Sequence, residues 1–133
     1  MDDGRGVVTE FRIPGGARAP LSARAKLTES LEERFARCLV DDLRLLVSEL
    51  VTNCVLHGGV GEAAEITVRA RLRADAVRTE VCHDGPRFDA PADDPDLGSP
   101  GGFGLLLVDR MASSWGIGGR CQTCVWFELG LAA

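Results

Sequence analysis

Apolar and polar residues alternate along the start of the chain and then recur at a longer, helical spacing. The alternation runs from Gly6 to Pro14 and predicts a strand, because successive side chains of a strand point to opposite faces. Apolar residues then recur every four positions, which predicts a helix from Leu21 to Leu39 with one buried stripe. The stripe consists of Leu27, Leu31, Phe35 and Leu39.

A second helix is predicted to follow and to end near His57. Asp41 or Asp42 can cap its N-terminus, where a carboxylate also suits the positive end of the helix dipole. Gly58 and Gly59 end the helix. Its apolar residues recur at intervals of three and four and form one core face: Leu43, Leu46, Val47, Leu50, Val51 and Cys54.

The second half of the chain predicts two hairpins separated by a loop and a short helix. Glu65–Arg73 and Val77–His83 alternate cleanly and are joined by a tight turn. Asp84–Gly102 is rich in Gly, Pro and Asp, and a loop of this length in a compact domain is typical of a lid or a binding loop. Phe103–Ala112 predicts a short apolar helix, and the segments "SSWGIGG" and "TCVWFELGL" predict a final strand pair.

This order of elements predicts an α+β fold, a two-layer sandwich formed by a single domain over residues 1–133. The chain is 45% hydrophobic and 26% charged, as is usual for a globular protein. It has no run of about 18 apolar residues, so we expect no membrane span. The acidic N-terminus has no signal-peptide segment, and we expect a cytoplasmic location. The net charge of −5 does not favour nonspecific nucleic-acid binding.

The second predicted helix carries a row of polar residues along the edge of its apolar face. Glu49, Asn53 and His57 are four residues apart, so each step rotates the position by only about 40°. Polar groups at the edge of a buried face need partners, because an unsatisfied buried group costs about 1–3 kcal/mol. Alternatively, Glu49 is solvated, Asn53 bonds a loop and His57 lies near the C-terminal cap.

Two further segments carry candidate chemistry. "GSPGGFGLLLV" places glycines at positions 98, 101, 102 and 104 before an apolar helix, whose N-terminal amides suit an anion such as phosphate. Its alternative is a flexible connector, and it matches neither the P-loop nor the Rossmann pattern. In "VCHDGPRFD" an acidic residue at a strand end can accept a hydrogen bond from a purine amine, although the segment is also typical of an ordinary Asp-Gly turn.

Taken in order, these segments resemble the GHKL (Bergerat-fold) ATP-binding family, and within it the anti-sigma factor and serine-protein kinase (RsbW-like) subgroup. "ELVTN" resembles the N box, "DGPRF" the G1 box, and "GGFGLLLVDRMASSWG" the G2 box and the segment after it. "QTCVWFEL" resembles the terminal strand. The resemblance extends from about Val8 to Leu129 and implies a mixed, mostly antiparallel sheet covered on one face by helices.

The resemblance also implies a role for each matching residue. Glu49 is the expected general base of phosphoryl transfer, and Asn53 is the expected ligand of Mg²⁺. The residues 89–101 are the expected ATP lid. The other expected contacts with ATP come from His83, Asp84, Gly85, Gly102, Phe103, Gly104, Leu105 and Thr123.

The G1 box can be aligned in two ways. Alignment on Gly85 puts His83 at the family's aspartate position, whereas alignment on Asp84 restores the acid and puts Pro86 at the first glycine position. Strand alternation favours His83. A bulge at the strand end can still deliver Asp84, so both residues remain candidates for the adenine contact.

The function implied by the resemblance is that of an ATP-binding anti-sigma factor and protein serine kinase. Such a protein binds a sigma factor, phosphorylates an anti-anti-sigma antagonist of the STAS type and forms a homodimer, without direct contact with nucleic acid or membrane. The alternative is a catalytically weak or inactive module of the same fold that regulates transcription by sequestering a partner.

The five cysteines leave a third, different interpretation open. Their odd number does not suit a disulfide framework, and in a reducing cytosol we expect mostly thiols. Cys121 and Cys124 form a C-x-x-C pair that could be redox-active, or could bind zinc together with Cys82 and His83 if the strands are adjacent. Without such chemistry, the cysteines are packing residues.

Overall fold

The computed structural model describes residues 6–57, 59–84, 102–119 and 122–131, with the backbone alone for 102–104. Within these ranges the chain forms three helices and a five-stranded sheet. In chain order the elements are β1 (Val7–Pro14), α1 (Ala19–Leu31), α2 (Arg37–Leu56), β2 (Glu65–Arg73), β3 (Ala76–His83), α3 (Gly102–Met111), β4 (Ser114–Gly118) and β5 (Thr123–Gly130).

The strands are ordered β1-β2-β3-β5-β4, and all four pairings described are antiparallel. The pair Arg73–Ala76 closes the predicted hairpin around a two-residue turn. Ala74 in this turn adopts a φ of 52°, the left-handed conformation that such short turns require. The prediction of an α+β fold is confirmed.

The two faces of the sheet differ in chemistry, as expected for a two-layer sandwich. The residues that face the helices are buried, among them Ile66, Val68, Val125 and Phe127. The opposite face is charged. There Nε of Arg69 lies 2.8 Å from Oε1 of Glu10. Nη1 of Arg78 lies 3.5 Å from Oε2 of Glu128, and Cζ of the same arginine lies 3.9 Å from the ring centroid of Trp126.

The core is centred on α2, which contacts α1, α3 and β3. Burial of its apolar face was predicted from spacing alone, and all six predicted residues are at most 2% exposed: Leu43, Leu46, Val47, Leu50, Val51 and Cys54. Among the described helices, none is both long and apolar enough to cross a membrane.

The predicted boundary between the first two helices is wrong. One helix ends at Leu31 and the next begins at Arg37, so Leu39 belongs to α2. Asp41 and Asp42 therefore lie inside α2, and its N-cap is Ala36, which makes no side-chain capping bond.

The break escaped prediction because the four-residue apolar spacing continues through it. The amides of Arg34 and Phe35 both donate to the carbonyl of Leu31, at 2.9 Å and 3.2 Å, and so close a turn without glycine or proline. Phe35 is half-buried and packs on the core from inside this turn. An apolar residue in a turn is indistinguishable by spacing from one on a helix.

Adjacent leucines of α2 provide a matched test of this packing. Leu46 is fully buried, whereas Leu45 is 39% exposed. We expect Leu46→Ala to lower the free energy of unfolding by about 2–5 kcal/mol, because it removes buried methyl groups and leaves a cavity. Leu45→Ala should change it by less than about 1 kcal/mol. Urea denaturation of both variants measures the difference, and equal losses would contradict the assigned face.

Candidate functional site

Hydrogen bonds join the segment between α2 and β2 to the residues that follow β1. The amide of Val60 donates to the carbonyl of Cys54 at 3.2 Å, and the amide of Gly16 donates to the carbonyl of Val60 at 3.0 Å. The amide of Gly15 donates to the carbonyl of Ala64 at 2.9 Å. Gly15 is required here, since a Cβ at this position would lie 2.6 Å from the carbonyl oxygen of Val60. The end of α2 is therefore held at one defined edge of the sheet.

The strand register extends this edge across the sheet. Pro14 pairs with Glu65, and the next residue of β2, Ile66, pairs with His83. His83 in turn pairs with Thr123. The C-terminal end of α2, the end of β3 and the start of β5 consequently lie at the same end of the molecule.

Asn53 lies in the last turn of α2 and is 1% exposed. Its backbone carbonyl accepts a hydrogen bond from the amide of His57, the C-cap residue, at 2.8 Å. Its side-chain Oδ1 is buried and has no hydrogen-bond partner among the described residues. A buried acceptor without a donor costs about 1–3 kcal/mol and suits a cation, and oxygen is the ligand type that Mg²⁺ prefers. Asn53 thus fits the magnesium role implied by the N box.

Glu49 lies one helical turn before Asn53 and is half-buried. The four-residue spacing keeps the two side chains on one side of α2, with Glu49 more accessible to solvent. His57, the third residue of the row, is an exposed helix cap, which agrees with the structural role considered for it.

His83 points toward the helices, as strand alternation predicted. It is 1% exposed and shares its face of β3 with Thr79 and Val81, whereas Asp84 lies just beyond the strand and is exposed. Burial lowers the pKa of His83 below its ordinary value, and the negative charge of Asp84 partly opposes this. His83 is therefore neutral at pH 7. Gly85, the residue after this pair, lies outside the described residues.

Thr123 is the first residue of β5 and is 6% exposed. It faces the same side of the sheet as His83, directly across the β3–β5 pairing. The structure therefore places these two predicted site residues side by side, although they are 40 positions apart in the sequence.

Helix α3 runs from Gly102 to Met111, so each end lies one residue before the predicted bounds Phe103–Ala112. Leu105 is 5% exposed and belongs to the core, so its side chain anchors the first turns of the helix. The amide of Ser113, just after α3, donates to the carbonyl of Glu128 at 2.9 Å and holds the far end of the helix. The side chain of Phe103, and the expected lid at 89–101, lie outside what the structure describes.

The cysteines differ from their prediction. Cys82 and Cys124 form a disulfide across β3 and β5, whereas thiols were expected. The proposed zinc set is also wrong for these residues, because Cys82 and His83 are consecutive in a strand and point to opposite faces. Among the described residues no group of three or more His, Cys, Asp or Glu side chains could hold a metal ion. Cys121 lies outside the described residues.

Sequence patterns predict on which face of the sheet these two cysteines lie, but not that their strands are adjacent. Both cysteines occupy the polar positions of alternating strands, which places them on the outer face. The pairing of β3 with β5, however, joins residues separated by 42 positions, and no local pattern reports such a pairing.

Comparison with known proteins identifies the fold and the family. The family described as "Histidine kinase-like ATPase domain" matches residues 17–129. The chain belongs to this histidine kinase-like ATPase family. The resemblance found in the N, G1 and G2 boxes is thereby confirmed at the level of the family.

Two curated proteins are distant relatives of this chain. A "Serine-protein kinase RsbW" of Listeria innocua is 31% identical over 89 residues, covering 58% of this chain and 57% of the relative. An "Anti-sigma F factor" of Thermoanaerobacter sp. is 32% identical over 73 residues, covering 44% and 51% respectively. The match thus spans little more than half of the length of these relatives.

Two solved structures share the fold of this family. The histidine kinase AdeS of Acinetobacter baumannii superposes with a TM-score of 0.54 at 7% identity, over 95% of this chain and 69% of that one. The histidine kinase domain of Erythrobacter litoralis EL346 gives 0.51 at 21% identity, over 70% and 45%. At these identities the likeness concerns the fold alone.

The buried histidine predicts a pH dependence of stability. Because the folded state lowers the pKa of His83 below about 6.5, the unfolded state binds the proton more readily. The contribution of neutral His83 is complete above about pH 6.5 and is lost as the pH falls through the lowered folded pKa. We expect the free energy of unfolding to decrease from about pH 7.5 to 5.

His83→Gln should flatten that part of the profile, whereas His57→Gln, which removes the other histidine, should leave it unchanged. Urea denaturation at a series of pH values measures both profiles. Loss of the slope in the His57 variant instead would contradict the assignment.

Proposed function

We propose that this chain is an ATP-binding anti-sigma factor and protein serine kinase. It binds a sigma factor and phosphorylates a serine of a STAS-type antagonist in the bacterial cytoplasm, as a homodimer. The observation that carries the proposal is the buried Oδ1 of Asn53, which lacks a donor among the described residues at the end of α2. That helix end is tied to the sheet edge bearing His83 and Thr123.

The proposed chemistry divides between the two N-box residues. Asn53 holds Mg²⁺ through its amide oxygen, and Glu49 accepts the proton of the attacking serine hydroxyl. When bound, ATP supplies the phosphoryl group, and Mg²⁺ offsets the negative charge of the phosphates. The backbone amides at the start of α3, from Gly102 to Gly104, bind phosphate oxygens at the positive end of the helix dipole.

Half-burial of Glu49 is consistent with this division. A general base must reach the hydroxyl of an incoming protein substrate, which a fully buried carboxylate could not do. Asn53, by contrast, is 1% exposed, and only a small ligand can reach its oxygen. The more buried Asn53 therefore suits the metal, and the more accessible Glu49 suits the protein substrate.

The partner class rests on the named relatives, a serine-protein kinase and an anti-sigma factor. Because the chain covers little more than half of each, the activity and partners of the whole proteins are proposals for this chain. The likeness of the N box and the family membership support them.

His83 favours the second candidate function, a module that sequesters its partner without efficient catalysis. In the alignment on Gly85, a neutral, buried imidazole stands where the family resemblance expects a carboxylate. A carboxylate accepts a hydrogen bond from an amine more strongly than a neutral imidazole does. Weaker nucleotide binding would leave partner binding as the main activity.

Replacing Asn53 tests the metal and nucleotide site. We expect Asn53→Leu to weaken Mg²⁺-dependent ATP binding by at least about tenfold, a loss of roughly 1.4 kcal/mol. The free energy of unfolding should fall by no more than about 1–3 kcal/mol, because the substitution removes an unsatisfied buried acceptor but places a larger side chain in the same space. Titration with a fluorescent ATP analogue, with and without Mg²⁺, measures the binding.

The matched control is Thr52→Val, which changes the neighbouring residue, whose hydroxyl donates only to the carbonyl of Ser48 at 2.8 Å. It should bind ATP like the unsubstituted protein. If both variants, or neither, lose Mg²⁺-dependent binding, the role given to Asn53 is wrong.

Replacing Glu49 tests the catalytic step separately. Glu49→Gln should retain ATP affinity within about threefold, yet lower phosphate transfer to a STAS-type antagonist by about 10²–10⁴-fold, the usual contribution of a general base. Glu29→Gln, an exposed change on α1, serves as control. Transfer is measured with radiolabelled ATP. If the unsubstituted protein binds a sigma factor but transfers no phosphate, the sequestering function is correct instead.

A further inference from the structure

The disulfide between Cys82 and Cys124 lies directly beside the candidate site, on the outer face of the sheet. The two cysteines are paired in register across β3 and β5, with Cα atoms 4.1 Å apart. The next pair along, His83 and Thr123, is the last of this ladder. The disulfide therefore joins the strands one residue inside the end at which the two buried site residues begin.

We infer that Cys82–Cys124 is a reversible thiol–disulfide redox site that controls the order of the strand ends carrying His83 and Thr123. Neither the family membership nor the proposed kinase function requires such a site. Two properties of the pair suit it to this role: its accessibility to small thiols and its position at the end of the ladder.

Access to the disulfide is provided by a glycine on the neighbouring strand. Gly118 of β4 pairs with Cys124, and a Cβ placed at Gly118 would meet no atom of the described residues within 4 Å. Within the described part of the chain, the position opposite Cys124 on β4 is thus left open, on a face that no described helix covers, and Cys124 itself is only half-buried. A small thiolate can approach the bond there, which thiol–disulfide exchange requires.

The other described cysteines do not compete for this role. Cys54 is 2% exposed, and burial raises the pKa of its thiol to about 12, so it is not nucleophilic at neutral pH. Cys38 is exposed but lies at the start of α2, far along the chain from either strand end.

Position at the end of the ladder links the redox state to the site. Terminal pairs of a strand ladder open more readily than central ones, because they have neighbours on one side only. The disulfide limits this opening at the pair His83–Thr123. Reduction removes the covalent link between the two strand ends, and both side chains become less ordered.

The redox step uses a small thiol such as glutathione. Its thiolate attacks one sulfur of the pair, forms a mixed disulfide and releases the other cysteine as a thiolate, which takes up a proton. A second glutathione thiolate attacks the mixed disulfide and releases the remaining cysteine in the same way. The protein gains two electrons and two protons, and two glutathiones become glutathione disulfide. Oxidation by glutathione disulfide is the reverse.

The first experiment tests the identity and accessibility of the site. The purified full chain is equilibrated in glutathione buffers, alkylated and mapped by peptide mass spectrometry. We expect Cys82 and Cys124 to be blocked in oxidising buffer and alkylated in reducing buffer, reversibly. A bond from either one to Cys121, or a bond that glutathione neither forms nor breaks, would overturn the inference.

Gly118 offers a matched test of access. Gly118→Val should slow reduction by glutathione at least about threefold, because it fills the space beside Cys124. Gly61→Val is the control, since Gly61 also has no atom within 4 Å of an added Cβ and its φ is not positive. Equal reduction rates in the two variants would show that thiols do not approach by way of Gly118, which contradicts the proposed access.

The second experiment measures the link to the site without any nucleotide. Hydrogen exchange of the backbone amides at 82–83 and 123–124 should be at least about tenfold faster in the reduced protein, whereas exchange at 78–80 should be unchanged. The double variant Cys82→Ser, Cys124→Ser should behave like the reduced protein in both buffers. Identical exchange at the strand ends in all forms would refute the link.

A consequence for nucleotide affinity rests on the proposed function. If ATP binds at His83 and Thr123, reduction should weaken its binding by about threefold or more, measured by titration in the two glutathione buffers. Absence of ATP binding in both redox states would remove the proposed function and leave the exchange result to decide the redox site. Equal affinity in both states, with faster exchange in the reduced one, would limit the redox control to the order of the strand ends.

Discussion

Burial of the apolar face of α2 is the constraint on which the rest of the structure depends. Six residues of this face are at most 2% exposed, and they hold the helix against α1, α3 and the sheet. Because a helix is rigid along its length, this packing also determines where its last turn lies. Asn53 is consequently buried whether or not its side-chain oxygen finds a partner, and the free-energy cost is borne by the fold as a whole.

The same edge of the sheet combines groups that stability alone would not select. Asn53 has a buried acceptor without a donor among the described residues, and His83 is buried at the expense of its charged form. Each lowers the stability of the folded chain by a modest amount. Such costs concentrate at functional sites, where groups are arranged for a ligand instead of for each other. Half-buried Glu49, one turn away, gives this edge an accessible carboxylate as well.

Periodicity was sufficient to predict those features in which neighbouring residues alone decide the structure. The buried face of α2 follows from its three- and four-residue spacing, and the inward direction of His83 follows from strand alternation. The turn at residues 32–36 could not be predicted, because Phe35 packs on the core from within the turn and preserves the helical spacing. Strands β3 and β5 are adjacent in the sheet although they are far apart in the sequence. This long-range pairing brings Cys82 to Cys124 and His83 to Thr123, so neighbouring residues alone could not predict it. The Thr123 assignment therefore came from family resemblance, whereas its contact with His83 came only from the fold.

The central claim is that the end of α2 and the adjoining sheet edge bind Mg²⁺·ATP. A crystal structure of the full chain with Mg²⁺ and a non-hydrolysable ATP analogue tests it most directly. We expect Mg²⁺ at about 2.0–2.1 Å from Oδ1 of Asn53, the usual distance to an oxygen ligand. We also expect the phosphates beside the start of α3 and the base near His83 and Thr123. A nucleotide bound elsewhere, or none at saturating concentration with the Asn53 oxygen bonded to protein groups instead, would contradict the account.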